Sequence, residues 1–136
     1  MGCLMVSARI SAFQLKPNQD KSKITDKRLF ISYHPNGKIK EKGYQGNYSG
    51  YGISTGMSVG TWYAYDMNGK LIETVYYHND KPAKAYILKK TYHPNGNVKS
   101  IKKFNNYQLY ETEIDSIGTW SYFDERGKLI RIEKYR

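Results

Sequence analysis

The sequence predicts an all-β protein: an antiparallel meander of repeated β-hairpins in one open, twisted sheet, made of two copies of a double-hairpin unit of about 58 residues. Three observations predict it. Four turn sequences share one chemistry, the segments flanking them are rich in β-branched and aromatic residues, and the pattern returns whole further along the chain. Tyr33-His34-Pro35-Asn36-Gly37-Lys38-Ile39-Lys40 comes back as Tyr92-His93-Pro94-Asn95-Gly96-Asn97-Val98-Lys99, 59 residues later. Gly60-Thr61-Trp62-Tyr63-Ala64-Tyr65-Asp66 comes back as Gly118-Thr119-Trp120-Ser121-Tyr122-Phe123-Asp124, 58 residues later. Nearly equal offsets mean that one unit was copied entire.

The turns come first, because they set the register of everything else. They are His34-Pro35-Asn36-Gly37, Asp66-Met67-Asn68-Gly69, His93-Pro94-Asn95-Gly96 and Asp124-Glu125-Arg126-Gly127. Pro at the second place presets φ for a type I turn, and Asp at the first accepts from the turn backbone. Gly37, Gly69, Gly96 and Gly127, each in fourth place, are expected to take the left-handed conformation that makes a bulge and closes a hairpin.

The flanks read as strands. Leu29–Tyr33, Thr61–Tyr65, Tyr86–Tyr92 and Thr119–Phe123 precede the turns, and segments beginning at Ile39, Leu71, Val98 and Leu129 follow them. Neither Pro nor helical periodicity interrupts them. Ile39, Leu71, Val98 and Leu129, two places after each Gly, are expected on the packed face, with Trp62 and Trp120 as the largest anchors. Residues 25–136 form the repeat domain, with unit one at about 29–77 and unit two at about 86–135.

Residues 1–24 read as an N-terminal extension, polar over 14–24. Two readings of residues 1–12 stay open: an ordinary terminus, or the tail of an export signal whose start lies upstream. The compartment is therefore open too, between cytoplasm and cell envelope. Gly2-Cys3 lacks the apolar segment that precedes a lipoprotein cysteine, and Val6 stands where myristoylation wants Ser or Thr. With Cys3 the only cysteine, an intrachain disulfide and a cysteine metal cluster are excluded. No apolar run approaches the roughly 20 residues of a membrane-spanning helix.

The formal net charge is +10, and 14 residues are Tyr. Scattered lysines keep a Tyr-rich sheet soluble and guard its edges. The same charge suits an acidic partner. Between the hairpins of each unit the copies diverge, Gly/Tyr-rich over 43–59 and acidic over 104–117, and both segments read as loops, either binding loops on one face or plain connectors. Tyr44, Tyr48, Tyr51, Tyr107 and Tyr110 are the candidate partner-binding residues, since Tyr gives large contact area at low entropic cost.

Aromatic-Pro-Asn-Gly-Lys followed by Gly-Thr-Trp-x-x-[Tyr/Phe]-Asp-x-x-Gly-Lys-Leu-Ile (60–72; 118–130) resembles the bacterial MORN-type repeat of the second variant, carried by the YwqK-type antitoxin family. The resemblance covers about residues 29–135. It implies an elongated β-meander whose partner is a protein, in that group a toxin neutralised by direct binding. One departure from the family pattern is the long segment before each Trp strand, where a short Asn-Gly-Lys turn is usual.

Catalytic and metal chemistry find little support. His34 and His93 occupy equivalent turn positions, His78 in His78-Asn79-Asp80-Lys81 reads as a loop residue, and three lone histidines do not make a zinc site. Glu111, Glu113 and Asp115 alternate on one face and read as a solvated edge before they read as a cation site. No phosphate loop or dinucleotide fingerprint occurs, so no cofactor is expected. The favoured function is non-catalytic protein binding as an immunity or antitoxin factor. The alternative is a basic envelope protein that binds anionic lipid or polymer. Nucleic acid ranks last, and an edge-strand homodimer is compatible with an open meander.

Overall fold

The computed structural model describes residues 23–50, 53–78, 85–105 and 115–136, and only the backbone of 23, 48–50 and 53–55. Eight strands form one sheet in sequence order, every neighbouring pair antiparallel. They are β1 (Lys23–Tyr33), β2 (Ile39–Gly50), β3 (Ile53–Tyr65), β4 (Leu71–His78), β5 (Tyr86–Tyr92), β6 (Val98–Asn105), β7 (Ser116–Phe123) and β8 (Leu129–Tyr135). Among the described residues there is no helix, and the sheet they form is an open all-β meander.

Each hairpin closes in the same way. Gly37, Gly69, Gly96 and Gly127 all have φ between 86° and 93°. Their N–H groups donate to the carbonyls of His34, Asp66, His93 and Asp124, at 2.9 to 3.0 Å. The register slips by one residue beside every turn, so Tyr33 faces Ile39, Tyr65 faces Leu71, Tyr92 faces Val98 and Phe123 faces Leu129. This is a type I turn with a glycine bulge, a conformation that costs a side chain strain and glycine nothing.

A meander puts all four tight turns at one end of the sheet, where they are stitched together. The His34 Nε2–H donates to Tyr65 O at 2.9 Å, and Asn36 Nδ2 donates to Met67 O at 2.7 Å. His93 and Asn95 repeat both bonds on Phe123 O and Glu125 O. The Lys70 Nζ joins the units by donating to Pro94 O at 2.6 Å. Asp66 and Asp124 use one carboxylate oxygen each to accept two N–H groups of their own turn. The two turn sequences therefore have complementary roles: the His-Pro-Asn-Gly turns donate sideways, and the Asp turns supply the carbonyls.

A second bulge device lies at the Gly-Thr-Trp motif. Gly60 and Gly118 have φ of 67° and 69°, and the register shifts between Lys42 and Tyr44 and between Ile101 and Lys103. The indole N–H of Trp62 donates to Tyr44 O at 3.0 Å, and that of Trp120 to Lys103 O at 2.9 Å. A carbonyl beside the ladder slip thus finds an indole as its donor.

Three expectations need correction. The segment 43–59 is not a connecting loop: β2 and β3 run through most of it as a long hairpin arm, paired from Tyr44↔Val59 to Gly50↔Ile53. β1 likewise begins at Lys23, inside the stretch read as linker, because the extended β2 offers it partners as far as Ser49. Leu129, expected on a packed face, is 46% exposed, since among the described strands β8 has a neighbour on one side only. Ile39, Leu71 and Val98 lie on inner strands and are half-buried.

A one-layer sheet has little interior. Met57, Val59 and Ile87 are the buried hydrophobic residues among those described. Met57 and Val59 pack with Ile24 where the long arm meets β1.

Candidate functional site

Strand pairing assigns side chains to two faces. Phe30, Trp62, Val75, Tyr77, Lys89, Lys102, Phe104, Trp120, Tyr122 and Tyr135 share one, here the indole face. Leu29, Lys42, Tyr44, Val59, Tyr63, Tyr76 and Tyr86 share the other.

On the indole face the rings form two groups. In unit one Trp62 lies against Phe30 with ring centres 5.5 Å apart, directly over Gly43. A Cβ on Gly43 would run into the indole, so only glycine lets Trp62 lie flat there. In unit two Trp120 packs between Phe104 at 5.1 Å and Tyr135 at 4.6 Å. The two Trp residues are thus half-buried anchors of ring clusters, with no enclosed core beneath them.

Cations lie over these rings. The Lys102 amine is 4.9 Å from the Trp120 ring centre, and the Arg131 guanidinium 4.0 Å from that of Tyr122. On the opposite face Lys42 covers Tyr63 and Tyr65, and Lys103 covers Tyr86. Part of the basic charge therefore shields aromatic surface, each contact contributing about 0.5–1 kcal/mol at exposed sites.

Of the candidate partner-binding residues, Tyr44 is 50% exposed on β2, where it helps line a cavity of about 260 Å³ with Ile24, Val59 and Tyr76. Tyr48 lies on the same arm, with its backbone paired to Ile24 and Thr55. Tyr51, Tyr107 and Tyr110 lie outside the described residues, as do Glu111 and Glu113. The three longer connections leave the sheet at the end opposite the tight turns, with the β2–β3 arm reaching past the ends of β4 and β5.

His78 is no loop residue. It ends β4 and stacks on Tyr86 at 4.7 Å, with its Nδ1 enclosed and unbonded among the described residues. Near the end of β8, the Tyr122 hydroxyl donates to Glu133 at 2.7 Å. That bond holds the Glu133 carboxyl below its usual range and raises the Tyr122 hydroxyl. Among the described residues no group of three or more His, Cys, Asp or Glu is placed to hold a metal ion.

A single-layer sheet of stacked hairpins, with both faces wet and its turns stitched along one rim, defines a β-hairpin repeat protein. Its four hairpin-strand segments, residues 29–47, 58–79, 87–106 and 117–136, match the family model of the MORN repeat variant. The chain belongs to that family. No curated protein and no solved structure matches it. The repeats make it a repeat-based binding protein. Gly60 and Gly118 are the structural residues that sequence reasoning passed over. The signal was present, because each stands two places before a Trp in both copies.

Proposed function

We propose that this chain is a non-catalytic immunity or antitoxin factor, which neutralises a protein toxin by covering it. The observation that carries the protein-binding part is Tyr44 on the long β2–β3 arm, half exposed and lining a cavity. An arm of 12 and 13 residues, against 8 and 8 for the equivalent β6 and β7, extends the sheet beyond what the repeat needs. A half-exposed tyrosine on a paired strand suits a contact surface. The toxin as partner follows from the likeness to YwqK-type antitoxins, and the charge of +10 favours a partner with an acidic surface.

The test has two stages. The tagged chain is used to capture material from its native lysate, washed at low and then high salt. A protein retained at high salt is then expressed in cells with and without the chain. Growth arrest by that protein, relieved by the chain and not by its Tyr44→Ala variant, is the expected result. Anionic lipid or nucleic acid that leaves with salt, and no retained protein, would instead make net charge the functional feature.

A further inference from the structure

The two units differ at one position of the indole face. In unit two Tyr122 stands between Ser100 and Arg131 in the ladder, and Arg131 and Lys102 both lie over its ring. The chain's own cations occupy the aromatic surface there. In unit one the equivalent of Tyr122 is Ala64, and its ladder neighbours are Glu41 and Glu73. The small side chain leaves an open cavity of about 300 Å³, lined by Phe30, Glu41, Trp62, Glu73, Val75 and Tyr77 among others.

This cavity has ring walls and two carboxylates. Glu41 makes no ion pair among the described residues. Glu73 meets Lys89 at 3.1 Å, in a pair that is exposed enough to exchange. Burial, followed by the charges of Glu41 and Glu73, raises the Tyr77 hydroxyl above its ordinary pKa, as expected if both carboxylates bear on the same space.

We infer that the cavity receives an arginine side chain of a protein partner. A guanidinium stacks flat on aromatic rings, and its fork of N–H groups matches a carboxylate, whereas an ammonium does only the electrostatic part. The charge of +10 repels a cation at long range. At physiological ionic strength, however, charges beyond about 8 Å are largely screened, so the local balance decides: two carboxylates against the Lys89 amine, a net negative site. The pocket faces away from Tyr44, and the inference rests on the proposed function only in taking the partner to be a protein.

The test needs no partner, so its failure is distinct from failure of the proposed function. The blocked peptide Gly-Gly-Arg-Gly-Gly is titrated into the 15N-labelled chain at physiological salt. The Ala64 amide and the Trp62 and Trp120 indole N–H signals are followed. Saturable shifts at Ala64 and Trp62, with Trp120 still, are expected. Ala64→Tyr, which copies unit two, should abolish them. Glu41→Gln, a surface change that the fold tolerates, should weaken binding about threefold, as for a partly exposed ion pair. The inference is overturned by the absence of saturable shifts, by equal shifts at both indoles, or by a norleucine peptide that moves the same signals. A lysine peptide binding as tightly as arginine overturns the guanidinium assignment.

Discussion

In unit one Trp62 lies over Gly43 and against Phe30; in unit two Lys102 stands where Gly43 would be, and Trp120 packs against Phe104 and Tyr135. Yet both indoles donate to equivalent carbonyls, Tyr44 O and Lys103 O, beside equivalent positive-φ glycines. The comparison separates two layers of specification. Turns and bulges are backbone devices with one solution each, so the copies keep them. Ring packing on a one-layer sheet has no enclosed interior to satisfy, so it is free to differ, and with it the chemistry each face offers.

The largest test of this separation is at Gly43. Gly43→Ala should destabilise the protein by about 2–3 kcal/mol, the cost of forcing a side chain into occupied space. Lys102→Ala at the matching site of unit two forces nothing into occupied space and should cost about 1 kcal/mol, from the lost contacts of its amine with Trp120 and Tyr122. Urea-unfolding midpoints check both, and equal effects would mean that the two Trp sites are not different after all.

Next come the shared bonds. Trp62→Phe and Trp120→Phe should each cost about 1–2 kcal/mol, since each leaves a carbonyl without its donor. Here the comparison predicts similarity, measured by the same denaturation curves.

Acid provides a third test. The N–H groups of Lys70 and Asn68 on its carboxylate hold Asp66 below its ordinary pKa of 3.8. A depressed folded-state pKa gives stability that is present above the unfolded value and lost as pH falls through the folded one. The unfolding midpoint should therefore drop below about pH 4, and Asp66→Asn should flatten that drop. Smallest is Lys89→Ala, which removes a half-exposed ion pair to Glu73 and should change stability by no more than about 0.5 kcal/mol.

Much of the fold was legible in the sequence, because turn chemistry is local. Pro35, Asn36 and Gly37 carry their conformations wherever they stand, and the repeat offset supplied the strand order. Other features depended on tertiary context. The run 43–59 is rich in Gly, which disfavours strands, yet 43–50 is strand because β1 and β3 pair with it on both sides. The exposure of Leu129 depends on having no neighbour beyond β8 among the described strands. Tyr44 was legible as a candidate by residue type alone. The cavity beside Ala64 was not, because it comes from a missing ring that only comparison with Tyr122 across the ladder brings out.

The central claim is that this repeat protein binds a protein partner through unit one. Hydrogen–deuterium exchange on the chain with and without the protein captured at high salt tests it most directly. Slowed exchange concentrated on β1 to β4, above all on the β2–β3 arm, is the predicted result. Protection confined to β5 to β8, or none in any strand, would contradict it.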